Sequence, residues 1–141
     1  MSIIAVPKER AAGERRVALV PDVAKRLMAK GMDIHIESGM GESAFFADAD
    51  FKDVKTHADA ASLCASADVV LKVQPPTVAE VQQLKEGAIL IGFMNAHKNL
   101  DMVQALCEKN ITALAMELVP RISRAQSIDA LSSQASIAGY K

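Results

Sequence analysis

The sequence predicts a three-layer α/β domain built on a mainly parallel sheet, and three observations carry that reading. Short β-branched runs alternate with helical patterns along the whole chain, and parallel strands need a crossover that a helix supplies. The runs "VVLKV" (Val69–Val73) and "AILIGF" (Ala88–Phe93) read as continuously apolar, as strands covered on both faces do. The first helical pattern carries Pro21 at its start and Gly31 just past its end, the placement that suits the φ preference of each residue. Units of this size describe a doubly wound, flavodoxin-like sheet.

Taken in order, the strands fall near Ile3–Val6, Ile34–Glu37, Val69–Val73, Ile89–Gly92 and Thr112–Ala115, with a weaker one near Val54–His57. Helical spacing of apolar residues places helices near Asp22–Lys30, Ala60–Ala67, Val78–Leu84, Leu100–Lys109 and Ala125–Ala138. Asp59 is placed to cap the second of these. The last helix has a face of small and apolar residues, Ala125, Ile128, Leu131, Ala135 and Ala138. Such a face is built for close packing, yet almost no chain follows it.

Composition narrows the function. The chain has 141 residues, half of them apolar and 23% charged, with a net charge of −1, which describes a folded globular protein with room for one core. There is no basic patch, and aromatic residues make up only 4%, so stacking platforms for bases are scarce and nucleic acid is not the expected partner. The apolar runs fall short of the roughly 18–20 residues a bilayer-spanning helix needs. The start "MSIIAVPKER" does not read as a secretory signal. Cys64 and Cys107 lack a CxxC partner and read as buried, reduced thiols.

In a parallel sheet of this kind ligands sit outside the carboxyl ends of the strands. The run "GMGESA", Gly39–Ala44, imitates a dinucleotide fingerprint, with Asp59 about twenty residues on. No long helix opens on it, so the better reading is a turn that uses glycine's φ freedom. The loop after the first strand holds Lys8, Glu9, Arg10, Glu14, Arg15 and Arg16, which on charge alone reads as a solvated loop with exchangeable ion pairs. Lys72 and Gln74 precede Pro75-Pro76, and Asn95 and His97 follow the next strand. His97, His35 and His57 show no partner at metal-ligand spacing. No G-x-S-x-G elbow is present. After the last strand, "MELVPRISRAQSIDALSSQ" supplies Arg121, Arg124, Gln126, Asp129, Ser132 and Ser133. If that segment is helical, Gln126, Asp129 and Ser132 share a face. Donors and acceptors together suit an amide, although a helix start capped by Asp and Ser explains the same residue types.

"VPKER…ERRVALVP", "ESGMGESAFFADADF", "VVLKVQPP" and above all "VPRISRAQSIDALSSQASIAGYK" resemble the amino-terminal domain of the alanine dehydrogenase and nicotinamide nucleotide transhydrogenase family. The resemblance covers essentially the whole chain and is strongest to transhydrogenase α subunits. It implies a flavodoxin-like domain over residues 1–123 and, over 124–141, the start of a helix connecting to a Rossmann domain that binds NAD(H). It further implies hydride transfer between NAD(H) and NADP(H), coupled to proton translocation. A partner domain brings NADP(H), a membrane domain belongs to the assembly, and the α subunit is a homodimer on the cytoplasmic side of the bacterial inner membrane.

By the same resemblance Arg121, Asp129 and Ser132 approach the carboxamide end of the NAD(H) nicotinamide, while Gln126 points towards NADP(H). In alanine dehydrogenases an Arg, a Lys and a His grip and polarise the keto acid. Arg16 matches the first, but Gln74 and Asn95 stand at the other two positions, leaving less to hold a carboxylate and no imidazole acid for a carbonyl oxygen. An alanine dehydrogenase with an altered site and a non-catalytic α/β binding module are the alternative readings. The chain alone is expected to bind NAD(H) weakly or not at all.

Overall fold

The computed structural model describes residues 1–140; Lys141 and the side chains of Leu131, Ser133 and Tyr140 lie outside the description. Six strands, β1 (Ile3–Val6), β2 (Asp33–Glu37), β3 (Lys55–His57), β4 (Val69–Leu71), β5 (Ile89–Gly92) and β6 (Thr112–Ala115), form one sheet in the order β3-β2-β1-β4-β5-β6. Every pairing is parallel. Without the short edge strand β3, the order is that of a flavodoxin-like sheet, and its direction of growth reverses between β1 and β4.

Five helices accompany the strands: α1 (Pro21–Ala29), α2 (Ala60–Ala65), α3 (Val78–Gln82), α4 (Leu100–Glu108) and α5 (Ala130–Tyr140). Pro21 occupies the first turn of α1, and Gly31 beyond its end takes φ 86°. Asp59 caps α2, its Oδ1 accepting from the Ser62 amide at 2.8 Å. Thr77 and Glu80 close a reciprocal capping box on α3, which satisfies two amides that a helix start otherwise leaves open. None of these helices is long and apolar enough to cross a membrane.

Two cores divide the sheet. On one face Ala5, Val70 and Leu90 pack with Leu63 and Ala67, with Val81 and Leu84, and with Met102 and Leu106, so α2, α3 and α4 cover that side. On the other face Ile4, Val6, Ile34 and Ile36 pack with Ala24 of α1, Met40 and Phe51. That second cover stops short of β5 and β6, where Ile89 and Leu114 are 37% and 50% exposed. The expectation that "AILIGF" is covered on both faces therefore fails for β5 within this chain. Cys64 is buried, with its thiol pushed up to about 11 by desolvation, whereas Cys107 is exposed, contrary to expectation.

The largest departure lies at the end of the chain. The predicted helix Ala125–Ala138 is two pieces, a 3-10 segment Ser123–Ile128 and the α-helix beginning at Ala130. Asp129 between them has φ −78° and ψ 86°, outside the helical region. Its Oδ1 accepts from the Ser132 amide at 3.0 Å, so the carboxylate that could have shared a helix face with Gln126 caps a new helix instead.

Close approach of β4 and β5 makes Gly92 a position with no room for a side chain: an added Cβ would collide with the Lys72 carbonyl oxygen. Gly92→Ala is expected to lower unfolding free energy by about 1–3 kcal/mol, read as a reduced midpoint in urea denaturation.

Candidate functional site

At the carboxyl edge of the sheet, strand ends leave backbone amides that need acceptors. In this chain side-chain carboxylates supply them. Beyond β1 the Lys8 amide donates to Glu37 Oε2 at 2.7 Å. Beyond β2 the Gly39 amide donates to Asp48 at 2.9 Å. Beyond β4 the Val73 and Gln74 amides donate to Glu9 at 2.5 and 3.3 Å. Beyond β5 the Met94 and Asn95 amides donate to Glu117 at 3.0 and 2.7 Å. The same run that imitates a fingerprint, Gly39–Ala44, is thus a turn, with Gly39 at φ 75° and its amide held by Asp48 rather than open to a pyrophosphate.

These carboxylates carry their counter-cations with them. Glu37 is buried and forked by Arg10 through both Nη atoms, a bond that also raises the Arg10 pKa. The Glu9 side chain, 6% exposed, lies 3.4 Å from Nζ of buried Lys72, which is 3.5 Å from Glu80. The Glu14 side chain, 5% exposed, accepts from Arg16 Nε at 2.9 Å, Arg16 Nη2 at 2.8 Å and the Arg16 amide at 2.8 Å, and from Gln74 Nε2 at 2.6 Å. Arg16 in turn lies 6.0 Å from the centroid of the Phe93 ring. The charged loop after β1 is therefore not a set of exchangeable surface pairs, because three of its ion pairs run through buried carboxylates held in fixed geometry.

Two cavities flank the start of α5. One, of about 450 Å³, lies against the ends of β4 and β5 and is walled mainly by apolar side chains, including Val17, Phe46, Leu71 and Phe93, with Arg16, Lys72 and Gln134 among its polar lining. The other, of about 460 Å³, is lined by Pro120, Arg121, Ile122, Gln126, Asp129 and Ser132. All four residues that the sequence singles out for the nicotinamide end thus meet at one cavity, despite the break in the helix. Arg121, Gln126 and Ser132 are exposed and Asp129 is half-buried. Arg124 does not line it, and the Ser133 side chain is outside the description. The set offers guanidinium donors, an amide of both kinds, a carboxylate acceptor and a hydroxyl, a donor set that fits a carboxamide.

One further arrangement is invisible to residue spacing. His35 and His57 pair across β2 and β3 with Nδ1 and Nε2 2.9 Å apart, and His35 Nε2 is 3.1 Å from Asp33 Oδ2, which also receives Lys55 Nζ at 2.9 Å. Strand register brings these residues together. His97 lies apart from them, at a cavity with Thr77, Asn99 and Asp101. No group of three or more His, Cys, Asp or Glu that could hold a metal ion occurs among the described residues.

The geometry defines a flavodoxin-like α/β domain that turns polar side chains, rather than open backbone amides, toward a ligand. The chain belongs to the alanine dehydrogenase/PNT N-terminal domain family, which matches residues 5–138. It is 47% identical over 149 aligned positions to an NAD(P) transhydrogenase subunit alpha chain of Rhodospirillum rubrum, covering 98% of this chain and 38% of that protein. An alanine dehydrogenase of Halomonas elongata is 36% identical over 118 positions, covering 82% of this chain and 32% of that one. The crystal structure of transhydrogenase from Sinorhizobium meliloti superposes with a TM-score of 0.93 at 37% identity, over 99% of this chain and 42% of that one. The chain thus spans well under half the length of the relatives it matches, and it is more similar to these transhydrogenases than to that alanine dehydrogenase.

Removing Glu9 would strand two amides and leave Lys72 with Glu80 as its remaining carboxylate. Glu9→Ala is expected to cost about 3–5 kcal/mol, measured by chemical denaturation. Glu14 has its carboxyl held down at about 2 by the Arg16 fork first, and then by Gln74 and the Arg16 amide. Because the folded value lies below the ordinary 4.5, its contribution is complete above that pH and is lost as pH falls toward 2. The difference in melting temperature between the wild type and Glu14→Gln should therefore shrink steadily across that interval.

Proposed function

We infer that the chain is the amino-terminal part of the α subunit of a proton-translocating NAD(P) transhydrogenase. The single observation that carries this is the convergence of Arg121, Gln126, Asp129 and Ser132 on one cavity, in a chain 47% identical to a transhydrogenase α subunit. NAD(H), held mainly by a following Rossmann domain, and NADP(H), brought by a partner domain, supply a hydride donor and acceptor. The contribution of this chain is orientation: Arg121, Asp129 and Ser132 fix the carboxamide end of one nicotinamide, and Gln126 reaches toward the other nucleotide. Orientation needs no proton-transfer group, and holding reactants in a productive pose is itself a large part of the rate.

Residues 1–123 act as the folded domain and 124–141 as the start of the connection. The assembly includes a second α subunit and a membrane domain, and proton coupling belongs to that membrane domain rather than to this chain. This domain sits peripherally on the cytoplasmic side of the bacterial inner membrane. The capped strand ends support the division of labour, since the amides beyond β1, β2, β4 and β5 that could receive a pyrophosphate already hold carboxylates.

Gln126→Asn in the complete enzyme is expected to lower the hydride-transfer rate about tenfold or more while changing the NAD(H) dissociation constant little, a loss of at least about 1.4 kcal/mol confined to the transition state. Stopped-flow transfer and equilibrium binding measured on the same preparation separate the two. Collapse of binding with normal transfer per bound nucleotide would reverse the role given to Gln126. Calorimetric titration of residues 1–141 with NADH should show no tight binding.

A further inference from the structure

The cavity of about 450 Å³ against the ends of β4 and β5 holds an arrangement that the orientation of nicotinamides does not use. Its polar edge is Arg16, the kind of side chain that takes a ligand carboxylate in a bidentate fork. Here the fork is already closed. Glu14 engages Nε and Nη2 of Arg16, and its Oε2 also takes the Gln74 side-chain amide at 2.6 Å. With its side chain 5% exposed, Glu14 is a built-in occupant of the place an anion would take. Charge points the same way, because Glu14, Arg16 and Gln74 sum to zero. Lys72, the other cation at this cavity, is held by Glu9 and Glu80. What is left is a cleft of apolar walls, with Phe46 and Phe93 among them.

We propose that Glu14 is a specificity-determining residue: its carboxylate occupies the donors of Arg16 and Gln74 and closes the adjoining cleft to small carboxylates, reserving it for uncharged planar groups. Removing the negative charge while keeping the side chain's shape leaves Arg16 with an unmatched positive charge facing the cavity, so the preference should invert. The inference does not rest on the transhydrogenase reading, and its test uses no nucleotide, so the two fail separately.

Benzamide and benzoate have the same ring and nearly the same shape and differ in charge, which makes them suitable probes. Their affinities for the wild-type protein and for Glu14→Gln are measured by ligand-observed NMR titration at neutral pH. The wild type is expected to prefer benzamide. Glu14→Gln is expected to bind benzoate about tenfold or more tighter than the wild type does, the scale of one charge-assisted hydrogen-bonded contact, with benzamide nearly unchanged. A substitution that only loosened the cleft would move both probes together, and that result would overturn the proposal, as would a wild type that binds benzoate as well as the variant does. Should Glu14→Gln fail to fold, Gln74→Lys makes the same change of one positive charge with Glu14 kept, and it is judged by the same benzoate-to-benzamide ratio. Adding Arg16→Gln to either variant should abolish the gain; a gain that survives it would also count against Arg16 as the seat.

Discussion

The structure depends on how a parallel sheet finishes its strands. Each strand that stops at the carboxyl edge leaves amides that water, a ligand or the chain itself must satisfy, and here the chain does so with Glu37, Asp48, Glu9 and Glu117. These bonds tie distant segments together: Glu9, from the loop after β1, closes the end of β4 at the point where the sheet reverses its direction of growth. An ionised carboxylate is a strong acceptor for such amides but brings a charge that must be matched where it is buried. Arg10 and Lys72 are the consequence, and the density of charge in the first loop follows from the sheet rather than from contact with solvent.

Satisfying the edge in this way moves recognition elsewhere. A phosphate finds no open amides at the capped positions beyond β1, β2, β4 and β5, and the cationic side chains near them are engaged by the chain's own acids. The loop after β6 differs, because Arg121 and Gln126 are exposed and line a cavity rather than closing a strand end. A site of side chains on a turn can read the shape and polarity of a ligand's end group, whereas gripping its charged centre falls to another part of the protein. That contrast explains why a fold known for strand-end sites presents its candidate nicotinamide residues so late in the chain.

Much of the fold is legible in the sequence because it follows from local pattern. The alternation of apolar runs places all six strands, including weak β3, within two residues of their observed ends, and Pro21, Gly31 and Asp59 mark helix boundaries by their own backbone or capping chemistry. Ile89 departs from expectation because an apolar run reports that a strand is suited to burial and not which part of the protein buries it. The pairing of His35 with His57 and the forks of Glu9, Glu14 and Glu37 depend on strand register and on loops crossing between strands, which residue spacing does not encode. The four residues of the candidate site are legible as a set only through resemblance. Helical periodicity puts three of them on one face, and the backbone at Asp129 breaks that helix.

The break matters for how the site is held. With one continuous helix, Gln126, Asp129 and Ser132 would turn together as a rigid face. Instead Gln126 belongs to the 3-10 segment, anchored by buried Ala125, while Asp129 is bonded to the backbone of α5 through the Ser132 amide. The cavity therefore has one wall fixed to the sheet's last loop and another fixed to the helix. α5 packs against the turn Met116–Leu118, and Ile137 on it is 62% exposed, so much of its surface is open to whatever neighbour sets its direction. Because a cap moves with the helix it closes, a neighbour that tilts α5 carries Asp129 toward or away from Gln126. The spacing of the two, and with it the fit of an end group between them, is thus tied to the docking of the helix rather than to the sheet alone.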